Sequence, residues 1–272
     1  MTEVYEESIV VLAKTYPEIS RKYGCLVCVA GINELGEWRR LYPIPWYLFF
    51  KGMLRFRKWD EITLRIEKAK HDPRRESFRV LDPNQIVVTG SIDDWGERRK
   101  FLDKFLDGSI EELREQKRSL GLIKPRKIID FTTKPRHRLS EGEKKTLDRQ
   151  IQTLLPELTP PIPKWSKLRP KKLPWLGYEF KCFGRRCRGH KMMCIDWEIQ
   201  ELYRKLLEKY GNEEKALSKT REKALEWMKK RDMYFVVGTT WRFPTWMIIG
   251  IHYPPKIRLE SVQADLIQDR IA

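Results

Sequence analysis

Apolar positions in residues 8–92 gather into five short runs, SIVVLAKT, CLVCVAGI, EWRRLYPI, DEITLRIEKA and QIVVTGSI, separated by Gly, Pro or charged turns. In the fourth run Ile62, Leu64 and Ile66 fall on one face and Thr63, Arg65 and Glu67 on the other, the alternation of a half-buried strand. CVAGI and EWRRLYPI, joined by NELG, read as a hairpin whose turn is supplied by Asn33 and Gly36. Five short strands are enough to close a small barrel, and the pattern predicts an OB-like one, with an SH3-like barrel fitting the count nearly as well.

From Asp93 to Leu120 the pattern becomes helical and highly charged, with Phe101, Leu102, Phe105, Leu106, Ile110 and Leu113 as its apolar stripe. A strand-like KPRKIIDFT follows, then a polar helical stretch from Ser140 to Leu155. Residues 156–174 hold six prolines among Lys164, Lys167, Arg169, Lys171 and Lys172, which predicts an extended, irregular strap. LGYEFKC reads as a strand and DWEIQELYRKLLEKYG as a helix capped by Asp196 and stopped by Gly211, with a second helix at once behind it. YFVVGTTWRF and TWMIIGIHYPP close the chain's regular structure as a strand pair turning near Pro244. The predicted fold class is α+β, mostly β: an OB-like barrel over 1–92, a helical connector over 93–120, and a second OB-like barrel over 121–272. The second barrel carries the basic strap (156–174), a zinc-knuckle-like Cys/His insertion (182–194) and a helical pair (196–231).

Charge narrows the function. A formal charge of +17 on 272 residues, with pI near 9.7, exceeds what solubility needs and points to a polyanionic partner, nucleic acid ahead of a membrane surface. No apolar run of about eighteen residues occurs, and the acidic start MTEVYEES does not read as a signal peptide, so a cytoplasmic location is expected. Five cysteines, an odd number and mostly clustered, suit a reducing compartment and a metal better than a disulfide framework. Abundant Lys, Arg and Glu with few Asn and Gln give a composition like that of heat-adapted proteins.

The densest chemistry lies in KCFGRRCRGHKMMCIDWE, where Cys182, Cys187, His190 and Cys194 fall within thirteen residues. Three thiolates and an imidazole match the ligand types of a closed tetrahedral zinc site, although C-x4-C-x2-H-x3-C is not a common finger spacing. Unligated cysteines around a hydrogen-bonded histidine are the structural alternative. Cys25 and Cys28 also form a C-x2-C, but within a strand an offset of three puts them on opposite faces, and they are read as core.

Candidate nucleic-acid contacts come from the loops and one strand. On EWRRLY, Trp38, Arg40 and Tyr42 share a face, a platform for stacked bases, with Arg39 on the other side. Lys51, Arg55, Arg57 and Lys58 follow in one loop, and Arg74 and Arg75 in another. The strap offers Trp165, Lys167, Arg169, Lys171 and Lys172, and the Cys/His segment Arg185, Arg186 and Arg188. Trp38 and Tyr42 as barrel core, and the charges as ordinary solvated faces, are the competing accounts. An enzyme reading rests on Asp196 and Glu198 beside the cluster, which would serve metal-assisted phosphodiester cleavage. Cysteine ligands suit that chemistry poorly, Asp196 has a role as a helix cap, and no P-loop, G-x-S-x-G, H-E-x-x-H or deaminase signature is present.

Taken in order, KTYPEISRKYGCLVCVAGINELGEWRRLYPIPW, KWDEITLRIEKAKHDPRRES, KPRKIIDF, YEFKCFGRRCRGHKMMCIDWE and FVVGTTWRFPTWMIIGIHYPP resemble a bacterial and archaeal family described as having a dual OB-containing domain. The resemblance runs from Lys14 to Pro255 and implies two OB barrels in one chain, with no activity attached. The expected function is non-catalytic binding of RNA, the ribosome included, or of single-stranded DNA, supported by a structural Zn²⁺. A metal-dependent nuclease and a protein-interaction module are the alternatives.

Overall fold

The computed structural model describes residues 3–20, 24–45, 49, 56–135, 174–240 and 244–256. The first half runs through β1 (Val4–Lys14), a short β2 (Glu18–Ser20), β3 (Gly24–Asn33), β4 (Trp38–Pro45), β5 (Asp60–Lys68), β6 (Ser77–Val80) and β7 (Val87–Ser91). Five of these strands close a barrel in the order β1-β3-β4-β6-β5 and back to β1. The β4–β6 pair is parallel and the other four pairings are antiparallel. Closure is made by β1, which pairs with β5 from Val4 to Val10 and with β3 from Ile9 to Lys14, and a register shift between Val11 and Ala13 bends it around the corner. The β3–β4 turn is the one expected: Gly36 takes φ 79° and donates to the Asn33 carbonyl at 2.9 Å.

This is the OB-like barrel that the hydrophobic pattern predicts, except in its fifth strand. QIVVTGSI lies outside the ring as β7, pairing only with β5 and leaving Val87 57 % and Val88 46 % exposed. The ring is completed by β6, whose four residues follow a run of charge too closely for the period-2 signal to show. Ile9, Val11, Val29, Leu41, Ile62 and Ile66 fill the interior.

Beyond the barrel come α1 (Trp95–Lys104), α2 (Ile110–Glu115), β8 (Leu120–Ile123), β9 (Lys127–Lys134), β10 (Trp175–Lys181) and β11 (His190–Met193), then α3 (Trp197–Tyr210), α4 (Glu213–Lys230), β12 (Tyr234–Thr239) and β13 (Trp246–His252). Where the sequence suggested four strands here, six among the described residues form two three-stranded sheets, β9-β10-β11 and β8-β12-β13. The sheets meet at a parallel bridge between Cys194 and Ile248. They enclose one aromatic core, in which Phe131, Tyr178, Phe180 and Phe235 are fully buried with ring centroids 4.7–5.1 Å apart, and Ile199 and Tyr203 of α3 pack onto it. Asp196 caps α3 and Gly211 ends it at φ 61°, as its sequence predicts. Among the described residues no helix is long and apolar enough to cross a membrane.

A third core joins the halves. Leu12, Ala13, Ala30, Ile32 and Trp38, on the outer face of the barrel, pack against Leu120, Leu122, Ile195, Tyr234, Val236 and Ile249. This explains why VVLA and LVCVA are continuously apolar instead of alternating, since both faces of those strands are buried. The approach is close: a side chain at Gly250 would place its Cβ 2.8 Å from Ala13 Cβ.

Candidate metal knuckle and interdomain pocket

Cys182 follows the end of β10, Cys187 lies in the turn beyond, and His190 opens β11 opposite Phe180. Hydrogen bonds shape the turn: the Cys187 amide donates to the Gly184 carbonyl at 3.0 Å, and the Cys182 amide donates to Cys187 Sγ at 3.2 Å. Gly189, at φ 107°, returns the chain to the sheet. Cys187 Sγ and His190 Nε2 stand 3.3 Å apart, and the ligand atoms of Cys182, Cys187 and His190 all lie within 4.8 Å of one another. This is metal-binding distance. Burial pushes the Cys182 thiol up to about 12 and lowers the His190 imidazole, which favours the neutral ring that a metal needs.

Cys194 does not join them, correcting the four-residue set. His190 pairs with Phe180, whereas the Cys194 amide donates to the Leu176 carbonyl at 2.7 Å, four residues further along the strand direction. At about 3.3 Å per residue this separates the two by roughly 13 Å. Cys194 is instead fully buried at the junction of the two sheets.

The stacking platform expected on EWRRLY is also corrected. The face shared by Trp38 and Arg40 is the one that the second half covers: Trp38 is 7 % exposed in the interdomain core, and Arg40, 3 % exposed, donates to Ser119 Oγ at 3.0 Å and to the Ser119 carbonyl at 2.8 Å. Tyr42, at the strand end, stays 40 % exposed. Arg39 lies over the Phe78 ring and pairs with Glu7 at 2.7 Å and Glu37 at 2.6 Å. Arg74 is fastened to Asp72 and to the Thr239 carbonyl. Exposed charge remains at Arg57, Arg75, Arg185 and Arg188, and at Arg186, which pairs with Glu115. Lys51, Arg55, Trp165, Lys167, Arg169, Lys171 and Lys172 lie outside the described residues.

Lys58, expected among the loop contacts, is buried between the halves. Its ammonium donates to Asp196 Oδ2 at 3.1 Å and to the Ile251 carbonyl at 2.8 Å, and stands 3.0 Å from Glu198 Oε2. Burial alone would pull this ammonium down, but the Asp196 and Glu198 carboxylates outweigh it and hold Lys58 above its ordinary value. Four donors converge on Asp196: the Lys58 ammonium and the amides of Glu198, Ile199 and Ile251. Glu198, still 43 % exposed, accepts from the Tyr253 hydroxyl at 3.2 Å.

Above this cluster opens a pocket of about 220 Å³ whose wall includes Arg57, Lys58, Trp95, Arg98, Glu198 and Tyr253. Arg98 lies 4.9 Å from the Trp95 ring and 5.2 Å from that of Trp59, and Tyr253 is stacked on Trp227 at 4.7 Å. Trp95, Arg98 and Tyr253 were missed in the sequence. The i, i+3 spacing of Trp95 and Arg98 puts both on one helix face, but nothing linear links them to Tyr253. His252, in the same wall, is a buried histidine that desolvation keeps neutral.

Lys14 lies nearby, its ammonium 4.7 Å from the Phe49 and Trp197 rings, and desolvation lowers its pKa to about 8. The unfolded chain therefore holds this proton more tightly than the folded one, and the resulting deficit in stability is complete below about pH 8 and fades as pH rises towards 10.5. Lys14→Met should exceed the parent in stability at pH 7 by roughly 2–3 kcal/mol, with the gap narrowing between pH 8 and 10.5. Urea melts across that range check it, and a pH-independent difference would refute it.

Fold and sites together define an α+β protein, mostly β, in which a closed five-strand barrel is joined to a helix-bearing pair of sheets with a Cys/His group at one corner. The chain belongs to the family described as a domain of unknown function, DUF8757, whose model matches residues 107–270. Residues 5–104 match the model of another domain of unknown function, DUF8758. Comparison with curated proteins finds no match.

Proposed function

We propose that this chain is a non-catalytic nucleic-acid-binding protein, its ligand RNA, alone or in a ribonucleoprotein such as the ribosome, ahead of single-stranded DNA, and that its Cys/His knuckle holds a structural zinc ion. The observation that carries the reading is the interdomain pocket, where Arg57, Lys58 and Arg98 meet Trp95 and Tyr253 on a chain of charge +17. At about 220 Å³ it is smaller than the roughly 300–1,000 Å³ of common small-molecule sites, and its size suits a single base or phosphate of a longer polymer. Aromatic rings beside guanidinium groups are what unpaired bases stack on. Five of the loop and knuckle arginines, Arg57, Arg75, Arg185, Arg186 and Arg188, remain exposed to meet backbone phosphates. The dual OB resemblance is part of the same proposal. The nuclease alternative is weaker, because the donors on Asp196 occupy both its oxygens in holding the fold together.

Binding of nuclease-treated protein to matched single-stranded RNA, single-stranded DNA, duplex DNA and ribosomes over a salt series tests the reading. Affinity should fall steeply with salt. Trp95→Ala should weaken single-strand binding by about 1–3 kcal/mol, and Arg57→Ala should lower the magnitude of the salt slope by about one. Weak, salt-insensitive binding to every polymer would overturn the proposal and turn attention to a protein partner.

A further inference from the structure

With Cys194 removed from the cluster, Cys182, Cys187 and His190 supply three donors where a closed zinc site takes four. The element packed against the knuckle is α2. Arg186 Nη2 is 2.8 Å from Glu115 Oε2, and Gly184 sits so close to Ser109 that a Cβ there would lie 2.7 Å from the Ser109 Cβ. This docking brings Glu111 against His190 of the ligand group. Its Oε1 is 3.5 Å from His190 Nε2, while its Oε2 is buried with no hydrogen-bond partner among the described residues.

We propose that Glu111 is the fourth ligand of a mixed Cys₂-His-Glu metal site, a proposal that rests on the metal reading of the knuckle. Two observations carry it. The first is distance. With bonds of about 2.0 Å to nitrogen, 2.3 Å to sulfur and 2.1 Å to oxygen, ligand atoms at tetrahedral angles about one zinc ion lie about 3.5 Å apart for nitrogen and sulfur and about 3.4 Å for nitrogen and oxygen. His190 Nε2 stands 3.3 Å from Cys187 Sγ and 3.5 Å from Glu111 Oε1. One ring nitrogen facing both a thiol sulfur and a carboxylate oxygen carries at most one proton to share between them; a cation at their centre satisfies both. The second is that among the described residues Glu111 Oε2 is buried without a hydrogen-bond partner, so apart from His190 at Oε1 nothing there is seen to compensate this carboxylate.

Two sulfurs, one nitrogen and one oxygen suit a borderline ion such as Zn²⁺ or Co²⁺ better than the hard cations Mg²⁺ and Ca²⁺. Glu111 also gives the metal a structural consequence. It fastens α2, in the connector between the two halves, to the knuckle at the far end of β10, so the ion cross-links segments some seventy residues apart in sequence.

Zinc alone, titrated into the metal-free full chain with a competing chelator, tests this, together with X-ray absorption at the zinc edge. The wild type should bind one ion with two sulfur and two nitrogen or oxygen ligands. Glu111→Ala and Glu111→Gln should each weaken zinc by at least tenfold and alter the visible bands of the Co²⁺ form, with circular dichroism checking the fold. Cys194→Ser should leave affinity and spectra unchanged. Three sulfur ligands in the wild type, or wild-type affinity in both Glu111 variants, would overturn the assignment while leaving the metal reading intact. No zinc bound by a folded wild type would remove that reading too. Where a variant does not fold, a wild-type count of three sulfurs still overturns the assignment.

Discussion

Lys58→Met should destabilise the chain by about 3–5 kcal/mol, the usual effect of leaving one partner of a buried ion pair without its countercharge. Asp196 is fully buried, and among the described residues its carboxylate accepts from the Lys58 ammonium and from three backbone amides. The lysine also satisfies the Ile251 carbonyl, so its loss frees an acceptor on β13 while stranding a charge at the cap of α3. Asp196→Asn keeps the cap geometry and removes the charge. The double variant Lys58→Met with Asp196→Asn should therefore recover at least about 2 kcal/mol of the single-variant loss, because the two residues are directly coupled. Denaturant melts of the four proteins at neutral pH measure this. Additive effects of the two changes would mean that the pair contributes no mutual stabilisation.

Gly250→Val should loosen the two halves. The added Cβ would meet Ala13 Cβ at 2.8 Å and the Leu12 carbonyl oxygen at 3.0 Å, neither of them the end of a flexible side chain, so β13 and β1 must move apart. Overpacking of this kind costs about 1–3 kcal/mol. Here the cost falls on the core formed by Leu12, Ala13 and Ile249, and on the pocket beside it, because Ile251 and His252 of the same strand line that pocket. The expected result is faster proteolytic cleavage in the connector between the halves, with the barrel itself intact, and a weakening of the proposed nucleic-acid binding relative to the parent. A variant with parental stability and parental cleavage rates would show that the interface yields without cost.

The barrel was legible in the sequence because its strands obey local rules: the period-2 alternation of Ile62, Leu64 and Ile66, and the glycine at the β3–β4 turn. The caps of α3, Asp196 and Gly211, were legible for the same reason, each being a contact within one turn of helix. The grouping of Cys182, Cys187 and His190 at metal-binding distance was legible through spacing and donor chemistry. Cys194 was not separable from them, because proximity along a chain does not reveal that a strand is about to carry a residue away. Nor could the sequence decide which face of EWRRLY looks outward, since Trp38 and Arg40 are amphipathic and suit either an exposed platform or a covered interface. That choice was made by the second half packing onto the barrel. The same packing set Lys58 against Asp196, 138 residues away, and brought Trp95, Arg98 and Tyr253 into one pocket. Sequence by itself determined most of the longer strands and the helix caps, the basic character and the soft-ligand cluster, all of which depend on neighbours within a few residues. Tertiary structure alone decided which charges are buried, which remain outside and which carboxylate faces His190, because burial and charge pairing are set by contacts between segments that the chain order keeps far apart.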